Sequence, residues 1–328
     1  MRILSYSEAI REAMAEEMRR DPCVFLMGED VGTFGGVWGV SQGMLQEFGE
    51  ARVRDTAISE IAIIGSALGS AMTGMRPIAE IMFADFLMCA GDQIANQVAK
   101  ARFMSGGKAN VPLTIRITNG APGSSAAQHS QSAESWFMNF PGLKIVVPTT
   151  PADAKGLLKT ALRGEDPVLF FEHKMLYAVK GHVPEDPEFM VPFGKASVAR
   201  KGKDVTIIAI GIMVQKALEA ADVLAKEGIQ AEVIDPRTLV PLDKETLIQS
   251  VAKTGRVIIA HEAHKRSGPG AEIAAVLAEE AVEYLDGPIL RVAAKNVPLP
   301  YSPELENYVL PGMQDICGAV HRLMPFTP

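Results

Sequence analysis

Two side chains in this sequence have the type and the setting to move protons, Glu60 and His129. Glu60 lies in DTAISEIAIIGSALGSAM (55–72), and no further charge appears until Arg76. A carboxylate heading an apolar helix has two readings. It is either a charge placed where the helix dipole favours it, or a buried acid whose raised pKa suits it to carry a proton. The residues alone leave both open. His129 lies in AAQHSQSAESWF (126–137), among small polar residues in a loop that follows an apolar strand. Loops beyond the carboxyl ends of parallel strands are where α/β proteins build sites, although a lone loop histidine is also an ordinary surface residue.

Other common chemistries lack their motifs. There is no G-x-x-x-x-G-K-[ST], no G-x-S-x-G and no H-E-x-x-H. Gly268-Pro269-Gly270 comes nearest to a dinucleotide fingerprint but lacks its third glycine. His261 and His264 are three apart without a third ligand, so a loop after a strand is the better reading than a metal site. Cys23, Cys89 and Cys317 fit no zinc or disulfide spacing, which suits a reducing compartment.

These residues must be positioned by a scaffold, and the pattern is α/β. Strand-like runs are expected at Val24–Met27, Ile78–Phe83, Leu113–Thr118, Lys144–Val147 and Val168–Glu172. Ser7 is expected to cap a first helix that stops near Pro22, and further helices are expected around 61–75 and 85–104. The helix at 61–75 is apolar all round and is therefore expected to be buried. The Pro- and Gly-rich stretch 181–194 reads as a linker between a domain at 1–180 and one at 195–328. In the second, strands are expected at Val205–Ile210, Ala231–Ile234 and Val257–Ala260. Val214, Ala217, Leu218, Ala221, Leu224 and Ala225 stripe a helix that Gly228 closes, and another helix is expected at 270–284.

With 328 residues, 48% hydrophobic and 22% charged, the chain can build two ordinary cores. Its net charge of −7 argues against nucleic acid or an anionic membrane as the main partner. The acid-bearing N-terminal helix fits neither a secretory signal nor a transit peptide, and 61–75 is too short to span a bilayer. A cytoplasmic protein is expected.

Taken in order, GED (28–30), DTAISE (55–60), RPIAEIMFADF (76–86), AAQHSQS (126–132), PGLKIVVP (141–148), DAKGLL (153–158) and EVIDPRTLVPLD (232–243) resemble one family. It is that of the β subunits of thiamine-diphosphate-dependent 2-oxo acid and acetoin dehydrogenases. The resemblance implies an N-terminal pyrimidine-binding domain and a transketolase C-terminal-like domain. It implies that Glu60 hydrogen-bonds the pyrimidine ring nitrogen, favouring the tautomer that takes the thiazolium proton, with the thiazolium as electron sink. It places Glu29, Ile58, Ser59, Met82 and Phe86 at the cofactor. It gives His129 proton transfer or oxyanion stabilisation during acyl transfer to lipoyl. A potassium site would fall at Leu113, Ala161, Leu162, Gly164 and Asp166, mostly through backbone carbonyls, with Gly164 in place of a side chain common there.

The chain has neither the GDG segment nor the paired asparagines that hold magnesium diphosphate in thiamine enzymes. The resemblance therefore implies a separate α subunit holding Mg2+ and the diphosphate, in an α2β2 heterotetramer. It also implies docking on the subunit-binding domain of a dihydrolipoyl acyltransferase core. Ala126-Ala127-Gln128 before His129 leans toward pyruvate or acetoin as substrate rather than a branched-chain acid. The rivals are the C-terminal subunit of a split transketolase and a non-catalytic assembly scaffold.

Overall fold

The computed structural model describes residues 2–121 and 123–325, which divide into two compact units. In chain order the first carries β1 (Arg2–Ser5), α1 (Tyr6–Arg20), β2 (Val24–Gly28), α2 (Met44–Phe48), β3 (Val53–Asp55), α3 (Glu60–Met72) and β4 (Arg76–Ile81). It continues through α4 (Ala101–Met104) and β5 (Thr114–Asn119). After α5 (Glu134–Met138) come β6 (Lys144–Val146), α6 (Pro151–Arg163), β7 (Val168–His173) and β8 (Lys180–Val183). Strands β6-β7-β5-β4-β2-β3 lie side by side in that order, all parallel. Apart from half-buried Arg76, every residue of β2, β4, β5 and β7 is buried. That continuous rather than alternating pattern belongs to a parallel sheet covered on both faces.

On one side, α1 packs on α6. The Lys155 ammonium, fully buried, donates to Glu12 and Glu16 at 2.6 and 2.8 Å, and Lys159 reaches Glu16 at 2.6 Å. The cap of α1 is Ser5 rather than Ser7, through a reciprocal capping box with Glu8. The segment expected as one helix at 85–104 is broken near Gly91 into a 3-10 stretch, a π-helical turn and α4.

The stretch expected as a linker belongs to the first unit up to Phe193, and β8 within it pairs antiparallel with β1. Conversely, residues 120–135 cluster with the second unit. That unit holds β9 (Ser197–Arg200), β10 (Val205–Ala209), α7 (Met213–Lys226), β11 (Ala231–Asp235), β12 (Thr238–Val240) and α8 (Lys244–Thr254). There follow β13 (Val257–His264), α9 (Pro269–Glu280), β14 (Leu290–Ala294), α10 (Pro303–Val309) and α11 (Met313–Leu323). Its five-stranded sheet runs β14-β13-β10-β11-β9, parallel except for β9.

His261, on β13, is buried beneath Gly268 and Gly270, where any added Cβ would strike the imidazole ring. Neither ring nitrogen has a hydrogen-bond partner among the described residues. Burial, aided by the charge of Arg291, pushes its pKa down to about 4. The folded chain thus keeps His261 neutral where the unfolded chain takes up a proton. Its contribution is complete above the ordinary value near 6.5 and is lost as pH falls toward 4. Denaturant titrations across that window should show a loss of up to about 3 kcal/mol that His261→Asn reduces. Equal slopes for both proteins would refute this.

Candidate active site

Because the strands of the first unit are parallel, their carboxyl ends gather on one edge of the sheet. The residues expected at the cofactor sit there, on three neighbouring strands. Glu29 follows β2, Ile58, Ser59 and Glu60 follow β3, and Met82 and Phe86 follow β4. Register holds the turns together: Gly28 pairs with Asp55, and the Thr56 amide donates to the Gly28 carbonyl at 2.9 Å. Glu60 is the first residue of α3 and is half-buried, with no hydrogen bond or ion pair to its carboxylate among the described residues. Burial, and then the charges of Asp30 and Glu60, push the Glu29 carboxyl above the usual range. The two carboxylates thus feel each other's charge, on the edge that also carries partly exposed Met82 and Phe86 and largely exposed Ile58 (74%).

The expectation of a buried α3 is corrected. Its inner face, Ile63, Ile64, Ala67 and Ala71, is buried, and the helix packs on β4. Ile61 is 51% and Met72 49% exposed, and Ala62, Ser66 and Gly69 are open as well. Apolar patterning all round marks a helix covered on every side. In this chain only half of that cover is present.

The Gly-rich loop after Glu29 is anchored at its start. Asp55 accepts from the Gly32 amide at 2.6 Å and from the Thr33 amide and hydroxyl at 3.1 Å. Burial would raise its pKa, but these donors outweigh it and hold the carboxyl below the usual range. Gly35 has φ 78°, and a Cβ there would come within 2.7 Å of the Gln42 backbone, so the turn needs glycine.

Beneath this loop lies a group the sequence reading missed. Arg116 on β5 donates to Glu172 on β7 through Nε at 2.6 Å and Nη2 at 2.7 Å, and through Nη1 to Glu80 on β4. All three are buried. Tyr177 donates to Glu172 at 2.9 Å, and its ring stacks on Trp38 of the loop at 5.7 Å. A Cβ on Gly36 would lie 3.5 Å from the Glu80 carboxylate, so the cluster directly underlies the loop. Burial alone would lower the Arg116 pKa, but Glu172 and Glu80 raise it, and the guanidinium stays charged. The signal was one charge at a similar level in each of three apolar strands; Glu80 and Arg116 are register partners.

His129 lies outside the first unit. Its segment belongs to the second unit, where the Gly120 amide donates to the Gln131 carbonyl at 3.1 Å and closes the loop. Glu262 accepts from the Ala121 amide at 2.6 Å and the Ser132 hydroxyl at 3.2 Å. Glu306 accepts from the amides of Gly123 and Ser124 at 3.3 and 3.2 Å. Sequence reasoning missed both anchors, because each is distant in sequence from the loop it holds.

The five expected potassium positions lie around the turn from α6 into β7 and the start of β5. The Leu162 and Gly164 carbonyls there accept from the Arg76 guanidinium, and the Asp166 carboxylate is paired with Arg102 and Lys144. The group present does not fit an added cation: a fixed positive charge already uses two of its oxygens.

Residues 3–180 match the transketolase pyrimidine-binding domain and residues 194–316 the transketolase C-terminal domain. The chain is 49% identical to the acetoin:2,6-dichlorophenolindophenol oxidoreductase subunit beta of Bacillus subtilis, over 98% of each. It is 48% identical to the 2-oxoisovalerate dehydrogenase subunit beta of the same organism, over 99% of this chain and 100% of that one. It is 47% identical to the pyruvate dehydrogenase E1 component subunit beta of Rhizobium meliloti, over 98% of this chain and 70% of that one. Among solved structures, a split gene transketolase described as an inactive beta4 tetramer superposes with a TM-score of 0.81 at 27% identity, covering 99% of both chains.

Proposed function

Since this chain belongs to the family of thiamine-diphosphate-dependent dehydrogenase β subunits, we propose that its first unit holds the aminopyrimidine half of the cofactor and that a separate α subunit holds the rest. The observation that carries this is Glu60. Its carboxylate, with no hydrogen bond or ion pair among the described residues, heads α3 on the carboxyl edge of the sheet, with Glu29, Met82 and Phe86 on the same edge.

When bound, thiamine diphosphate supplies the electron sink for cleaving the bond next to the substrate carbonyl. The chain's own residues then have distinct tasks. Glu60 holds a proton at the pyrimidine ring nitrogen. Ile58, Met82 and Phe86 provide apolar contact and exclude water, which strengthens that hydrogen bond. Glu29 keeps its proton to higher pH than an ordinary carboxyl, because burial and the charges of Asp30 and Glu60 disfavour its ionised form. His129 donates or accepts a proton at the acyl group as it passes to lipoyl.

The open face of α3 is where we place the α subunit, in an α2β2 assembly whose α chains carry Mg2+ and the diphosphate. The complex would sit in the cytoplasm on an acyltransferase core; no described helix is long and apolar enough to cross a membrane. The lean away from branched-chain substrates loses its force, because the 2-oxoisovalerate relative is as similar as the other two. Pyruvate, acetoin and 2-oxoisovalerate all remain as candidate substrates.

The test is co-expression with an α subunit and assay of dichlorophenolindophenol reduction with each of the three. One dominant substrate, used only when both chains are present, is the expected result. Transfer of ketol units from ketose phosphates, with no dye reduction, would favour the split transketolase. Silence from a well-folded, cofactor-loaded complex would favour the scaffold.

A further inference from the structure

The turn from α6 into β7 is built around a cation that belongs to the chain itself. Arg76 opens β4, and its side chain crosses to this turn with only 15% of its surface exposed. Nε donates to the Leu162 carbonyl at 3.0 Å, Nη2 donates to the Gly164 carbonyl, and Nη1 meets the Glu165 carboxylate at 2.9 Å. The other oxygens are engaged too. The Ala161 carbonyl accepts from the Gly164 amide at 3.1 Å, and the Leu113 carbonyl from the Val168 amide at 2.9 Å.

Asp166 accepts from Arg102 at 2.6 Å and from Lys144 at 2.9 Å. Burial would raise its pKa, but these two cations hold it below the usual range, so its charge is already balanced. Gly164 offers no side-chain oxygen of its own.

A bare monovalent ion must recover its hydration energy from several oxygens at once. Here two of the backbone oxygens accept from a guanidinium, and an ion beside them would face a like charge at close range. A guanidinium suits the task better than an ammonium, because its planar fork reaches two carbonyls and a carboxylate together.

We propose that Arg76 takes the place of the potassium ion expected from the family, so that this β subunit binds none at the α6–β7 turn. Arg76 is then a positioning residue. It ties that turn to β4, the strand whose carboxyl end leads to Met82 and Phe86. The inference rests on family membership only for the expectation it replaces. Its test reads ion binding and stability, so it can fail while the functional reading stands.

The direct test is crystallisation of the wild-type α/β complex in rubidium chloride and a search for anomalous scattering. No peak among the Leu113, Ala161, Leu162 and Gly164 carbonyls is expected, and a peak there would overturn the proposal. Thermal unfolding of Arg76→Gln supplies the second arm. The variant should unfold at a lower temperature than wild type in choline chloride at equal ionic strength, and an unchanged midpoint would remove the role given to the guanidinium. Should the variant fail to fold, the anomalous map of the wild type still decides.

Discussion

Glu60→Gln should lower turnover of the reconstituted enzyme by roughly 100-fold or more, the scale on which a positioned proton carrier contributes. Glutamine keeps the size of the side chain and its hydrogen-bonding reach but cannot hold or release the proton. The half-buried position at the head of α3 makes an indirect, structural effect small. Circular dichroism and unfolding midpoints should therefore match wild type while activity collapses. The same variant separates the proton-carrier reading from the dipole reading. A carboxylate present only for the helix terminus is worth roughly 0.3–1 kcal/mol of stability and nothing in turnover. Turnover within a factor of about three of wild type would contradict the proton-carrier role.

Arg116→Met should be the most destabilising single change in the first unit. It leaves the buried Glu80 and Glu172 carboxylates without their cation, a situation that costs roughly 3–5 kcal/mol. Changing Glu80 and Glu172 to Gln in the same chain should restore much of the loss, because the penalty comes from unpaired charge rather than from lost packing. The loop over the cluster gives a second readout. Trp38 stacks on Tyr177, so its fluorescence should change in Arg116→Met even where the protein is still folded. If Arg116→Met unfolded at the wild-type denaturant concentration, the cluster would have to be solvated and would not support the loop.

What could be read from the residues, and what could not, follows from the range over which each feature is determined. β2 was visible because a buried parallel strand reads as a run of apolar residues, and β5 and β7 because most of their residues are apolar or β-branched despite the charges they carry. Glu60 was singled out by its own setting, and Glu29, Met82 and Phe86 by the family resemblance; the strand order brings them to one edge. The α3 pattern was sound but its consequence was not. Periodicity reports that a face is apolar, not which chain covers it, and Ile61 and Met72 stay open here.

The Arg116 cluster stayed hidden because a charge in a strand looks like an interruption until the register shows its partner. The Ser5 cap was readable in S-x-x-E, Ser5 to Glu8, but the later serine was chosen. The return of 120–135 to the second unit depends on Glu262 and Glu306, long-range contacts that no local pattern announces. Arg76 was passed over for the same reason, since its three partners lie more than eighty residues away.

The half-site is the central claim, and cofactor binding tests it most directly. Thiamine diphosphate with Mg2+ would be titrated calorimetrically into this chain alone, into the α subunit alone, and into the two combined. Saturable binding only in the combined sample, at one cofactor per αβ pair and accompanied by turnover, is the predicted result. Stoichiometric binding and turnover by this chain alone would contradict it.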